Sequence, residues 1–95
     1  MSLFVNNSVM DEIIKFYSDG CGGCKAMQPI MEQLEKEYPA IKFSEVNTDD
    51  EPDKVTQFGI TSLPTLVFIK DGKELAKLSG LKPKILVVKK IAEVF

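Results

Sequence analysis

The hydrophobic period of the chain changes at Cys21. Residues 12–18, EIIKFYS, are β-branched and aromatic and read as a strand. After the turn Asp19-Gly20, apolar residues recur at Met27, Ile30, Met31, Leu34 and Tyr38, the i, i+3, i+4, i+7, i+11 spacing of one helix face. A strand that feeds straight into a helix restricts the fold. The next strand is expected parallel to the first, through a right-handed crossover. The junction itself reads Cys21-Gly22-Gly23-Cys24, and these are the chain's only 2 cysteines.

Further punctuation completes the order. Pro29 is expected to kink the first helix and Pro39 to end it. Residues 41–47, IKFSEVN, alternate like a strand. Asp49 and Asp50 can cap a short helix with Pro52 in its first turn, and Gly59 stops it. Residues 65–70, TLVFIK, suit a buried strand, Asp71-Gly72 a hairpin turn, and residues 73–79 its partner. Pro83 opens a last helix in which Ile85, Val88, Ala92 and Phe95 share a face. The order β-α-β-α-β-β-α predicts an α/β fold, a mixed sheet with helices on both faces. A short strand near Leu3–Val5 would add a further member.

With 95 residues the chain is expected to form a single domain, 1–95, whose core needs neither metal nor disulfide to fold. The net charge of -2 makes no case for nucleic acid or an anionic membrane. No apolar run approaches the roughly 20 residues of a membrane span. The start MSLFVNNSVMDE lacks the pattern of a secretory signal, so a cytoplasmic location is expected. Cysteines there are usually reduced, which favours catalysis or metal binding over a permanent staple.

Cys21 follows a strand and opens a helix, where unpaired N–H groups and the helix dipole favour a thiolate. Lowering a thiol pKa from about 8.5 to about 7 makes about half of it thiolate at neutral pH. Two intervening residues put Cys24 one turn on, on the same side. Cys21 is then the exposed nucleophile and Cys24 the more buried thiol that resolves a mixed disulfide. Other readings stay open at this point. Zinc normally takes four ligands, and the chain has 0 histidines and no third cysteine, so a zinc site would need other donors. A metal or cluster bridging two subunits, or two inert core cysteines, would also account for the pair.

The runs KFYSDGCGGCKAMQP and FGITSLPTLVFIKDGKELAKLSG, with the apolar last helix, resemble the thioredoxin family from residue 12 onward. The resemblance implies a thioredoxin-like α/β/α fold of three layers, with a sheet of four strands, or five, and an abbreviated N-terminal strand–helix unit. It implies a protein-disulfide reductant with no bound cofactor beyond the Cys21–Cys24 disulfide. Partners would be protein disulfides and a thioredoxin-reductase-like electron donor, and a monomer is expected. It also implies that Pro64 is cis and faces Cys21, and that the Leu63 backbone pairs with an extended substrate. Gly20, Gly22, Gly23 and Gly80 would then border the substrate, although Gly80 also reads as a simple turn glycine. A glutaredoxin-like thiol transferase and a binding subunit with incidental redox activity are the alternatives. No dedicated cationic site for glutathione's carboxylates is visible. A Cys21→Ser, Cys24→Ser double variant separates the second, since only an enzyme would lose function.

Several positions depart from the family pattern. Gly23 stands where it has proline, Gly20 where it has tryptophan, and Tyr17 where it has another aromatic. Asp19 opposes a thiolate at Cys21, while Lys25 favours one. Lys15 occupies the place of the family's buried aspartate, which is implicated in proton transfer to the resolving thiol, and Glu45 that of a lysine on the next strand. A buried lone ammonium is costly, so Lys15 is expected to pair with Glu45, leaving Glu45 to accept the Cys24 proton. Alternatively Lys15 points to solvent or a helix-free edge and Glu45 is a surface charge.

The remaining features have ordinary explanations. Met27 and Met31 are core residues. Asp49, Asp50, Glu51 and Asp53 suit a helix start better than calcium. Lys82, Lys84, Lys89 and Lys90 form a solvated helix face. Exposed apolar positions around Gly20, Ile60 and Leu63 would make a partner surface.

Overall fold

The computed structural model describes residues 11–95. The expected strand near Leu3–Val5 lies outside them. The elements run β1 (Asp11–Tyr17), α1 (Gly22–Glu37), β2 (Ile41–Asn47), α2 (Pro52–Phe58), β3 (Thr65–Lys70), β4 (Lys73–Ser79) and α3 (Lys84–Val94). The described sheet is 4-stranded, in the order β2-β1-β3-β4. β1 pairs parallel with β2 and antiparallel with β3, and β3 pairs antiparallel with β4.

Side chains alternate across β1, so its residues serve two layers. Ile13 joins Met27, Met31 and Leu34 of α1, Leu66 and Phe68 of β3, and Val87 and Ile91 of α3. Ile14 and Phe16 point the other way, to Val46, Val67, Ile69 and half-buried Phe58, Ile60 and Leu63. The rings of Phe16 and Phe58 meet edge to face at 5.6 Å. Helices therefore cover both faces, and β1 and β3 are the two inner strands of the described sheet.

Local differences from the sequence reading have local causes. α1 runs through Pro29 as one element and ends before Pro39, with Tyr38 as its cap. α2 is capped by Glu51, not by Asp49 or Asp50. Asn47 accepts the Asp49 N–H at 2.9 Å, which uses those residues in a turn and leaves Glu51 ahead of Pro52. Gly59 closes α2 at φ 63°. Pro83 stands at the N-cap of α3, but Val87 and Ile91 are the buried residues, while Ile85 is 59% exposed. Ala92 is also exposed, so the core-facing side is rotated from the one expected; Val88 and Phe95 pack at its border. Ile60 and Leu63 are half-buried against the Phe16 layer rather than forming an exposed patch.

Candidate active site

Cys21 is the N-cap of α1, with extended backbone at φ -88° and ψ 107°. Its Sγ accepts the Cys24 N–H at 3.0 Å, so the side chain of the first cysteine satisfies an otherwise orphaned helix donor. The two sulfurs are bonded to each other, with Cα atoms 5.2 Å apart. Cys21 is half-buried at the surface. Cys24 is only 2% exposed. The asymmetry expected from the spacing is present: one reachable sulfur, and one tucked beneath the helix's first turn.

The Leu63–Pro64 peptide is cis. A β-carbon built on Gly23 would stand 3.2 Å from Pro64 Cδ and 3.8 Å from Leu81 Cβ, so the Pro64 segment lies directly against the C-G-G-C turn. Pro64's carbonyl accepts the Gly80 N–H at 2.7 Å, which ties that loop to the end of β4. Gly80 has φ 87°, a left-handed conformation that favours glycine, so its turn role is real. No atom lies within 4 Å of its would-be β-carbon, so the space above it is open as well. Gly20 and Gly22 are exposed and equally uncrowded.

Beneath the cysteines, Lys15 and Glu45 are register partners on neighbouring parallel strands. Lys15 is 3% exposed. Its Nζ donates to the Cys24 carbonyl at 3.2 Å and to Gln28 Oε1 at 2.6 Å, and lies 3.6 Å from Glu45 Oε2. The Tyr17 ring centroid is 5.6 Å away. Lys15 does not turn to solvent; it points under α1. Glu45 pairs with it but stays 47% exposed in its side chain. A hollow of about 640 Å³ opens here, lined by Lys15, Asp19, Cys24, Lys25, Gln28 and Glu45 among others. Gln28 escaped the sequence reading. The signal was there: it follows Cys24 by four residues and so shares its helix face.

Among the described residues, no group of His, Cys, Asp and Glu side chains is arranged to hold a metal. No described helix is long and apolar enough to cross a membrane.

The comparisons with known proteins converge. The family model described as Thioredoxin matches residues 2–93. The chain is 43% identical over 72 residues to the thioredoxin of Chlamydia caviae, covering 76% of this chain and 71% of that protein. It is 38% identical over 81 residues to that of Chlamydia muridarum, covering 85% and 79%. Among solved structures it is similar to the oxidised mitochondrial thioredoxin 3 of Saccharomyces cerevisiae, at TM-score 0.85 and 32% identity over 96% of this chain and 87% of that one. Fasciola hepatica thioredoxin gives TM-score 0.85 at 31% identity, over 95% and 86%. A bonded cysteine pair at a helix start, on a fold shared with these proteins, thus has one consistent reading: the chain belongs to the thioredoxin family and is a thiol–disulfide oxidoreductase.

Proposed function

We propose that the protein reduces disulfides of other proteins. The observation that carries this is the asymmetry of the pair, a reachable Cys21 capping α1 and a buried Cys24 one turn on. Cys21 thiolate attacks a substrate sulfur, forming a mixed disulfide and releasing the other substrate sulfur as a thiolate, which takes a proton. Cys24 then loses its proton and attacks Cys21 Sγ. The Cys21–substrate bond breaks, the Cys21–Cys24 bond forms, and the second substrate sulfur leaves as a thiolate. Two electrons pass to the substrate, and a reductase of the thioredoxin-reductase kind returns them to the pair.

The substrate chain lies extended along Leu63 and Pro64, bordered by Gly20, Gly22, Gly23 and Gly80. The open space at Gly80 and the half-buried Leu63 support this path. Glu45 is the carboxylate that takes the Cys24 proton, through water in the shared hollow. Glu45→Gln is expected to slow the resolving step and alter its pH–rate profile; an unchanged profile removes Glu45 from the step. The protein works as a single domain in the cytoplasm.

The test is the midpoint potential of the Cys21–Cys24 pair, equilibrated against dithiol buffers. A two-electron transition near roughly -270 mV supports a reductant. A value between about -180 and -120 mV makes it an oxidant or isomerase instead. No intramolecular transition would sink the exchange mechanism.

A further inference from the structure

Among the described residues, Lys15 is the one charged side chain that is buried. Burying an ammonium is unfavourable unless hydrogen-bond acceptors and opposite charge lie close. Lys15 meets that condition in a particular way. An ammonium has three N–H donors and no acceptor. Two acceptors take hydrogen bonds from this one, the Cys24 carbonyl and Gln28 Oε1, and the Glu45 carboxylate lies 3.6 Å away as its opposite charge. Gln28 is itself held, its Nε2 donating to Glu32 Oε2 at 3.3 Å.

The two ends of the Lys15–Glu45 pair sit in different surroundings. The Glu45 carboxylate is about half in water, which relaxes its field. The ammonium is buried, against the first turn of α1 at Cys24. The other charged groups facing Lys15 and this space are Asp19 from the loop after β1 and Lys25, Glu32 and Glu35 from α1, all exposed. Tyr17 presents its ring to Nζ. Water screens Asp19, Lys25 and Glu45 far more than it screens Lys15. The charge buried closest to Cys24 is therefore the Lys15 ammonium, while the carboxylates around it are exposed.

We propose that Lys15 is a positioning residue for the resolving cysteine: its buried ammonium anchors the first turn of α1 through the Cys24 carbonyl and stabilises the negative charge that the Cys24 sulfur takes on when it loses its proton to attack the mixed disulfide. This rests on the exchange reading above and goes beyond it. The bonded sulfurs of the oxidised state are neutral, whereas a reduced pair carries thiolate. A cation beside it favours reduction, so Lys15 makes the midpoint potential less negative and the resolving thiol reactive at lower pH.

The experiment compares the full chain with Lys15→Met, which keeps length and removes charge. Two quantities are read: the equilibrium with dithiothreitol, and the pH dependence of the resolving step. Expected are a tenfold shift of the equilibrium toward the disulfide, about 30 mV more negative for a two-electron couple, and a resolving step about tenfold slower at pH 7. A folded Lys15→Met variant with both quantities unchanged within about twofold overturns the proposal. Should that variant fail to fold, Cys21→Ser in the Lys15 background decides. Alkylation of its lone Cys24 by iodoacetamide is expected to titrate below about 8.5, the ordinary thiol value. Titration at or above that value is what burial alone would produce, and it overturns the proposal. Absence of any two-electron transition in the unaltered chain would remove the exchange reading and this inference together. A normal transition with an indifferent Lys15→Met removes only the inference.

Discussion

Single atoms decide much of the behaviour around the cysteines. Replacing Cys24 with Ser leaves Cys21 able to attack but nothing to resolve the product. Cys24→Ser is therefore expected to accumulate a mixed disulfide with a protein substrate, visible as a summed mass on non-reducing electrophoresis; Cys21→Ser is expected to give none. The two glycines between them also differ. Gly22 would accept a β-carbon with nothing within 4 Å, whereas on Gly23 it would press on Pro64 at 3.2 Å. Gly→Ala within a helix is worth about 0.5 kcal/mol or more. Gly22→Ala is expected to raise stability to urea by about that amount, and Gly23→Ala by less, because Pro64 is pinned through its carbonyl to Gly80. Lys15 shows what residue-level reading of a sequence achieves and where it stops. The places that Lys15 and Glu45 take in the family pattern, with the cost of a lone buried ammonium, predict their pairing, and that pair forms at 3.6 Å. Which acceptors complete the ammonium's shell depends on how α1 lies over β1, and Gln28 became legible only with that packing.

At the scale of elements, legibility follows the strength of the local signal. The Asp71-Gly72 turn has both residues at positive φ, 54° and 80°, as a tight hairpin requires, and it was plain from the dipeptide. α1 was plain because its apolar residues occupy one narrow stripe. α3, KILVVKKIAEV, is apolar at too many positions for the pattern to choose a side. Packing against β3 and the end of α1 chooses Val87 and Ile91, leaving Ile85 in water. This gives a direct contrast: Ile91→Ala is expected to lower the unfolding free energy by about 3 kcal/mol, as for a buried aliphatic truncation. Ile85→Ala should stay within about 0.5 kcal/mol. Equal losses at both positions would mean that α3 is turned otherwise. The bulge between Phe68 and Ile69 was equally invisible, since nothing in KELAKLS marks the extra residue.

For the molecule as a whole, the order of elements and the three layers were legible because each period change is sharp and each connection short. Charge is nearly balanced at -2, and the site mixes Asp19, Lys25 and Glu45. Long-range steering of partners is then weak. The rate of reduction of a neutral protein disulfide is expected to change by less than about threefold between 50 and 500 mM salt. A steep fall would reveal a charged partner surface that the folded chain does not suggest.

The hydrogen bond from the Cys24 amide to Cys21 Sγ has a use beyond chemistry. A thiolate is a stronger acceptor than a disulfide sulfur. The atom that changes redox state is thus also the acceptor for a backbone proton. Exchange of the Cys24 amide with deuterated solvent should slow when the pair is reduced, so a single NMR resonance at the start of α1 reports the electron count of the molecule in real time, without a label and without a substrate.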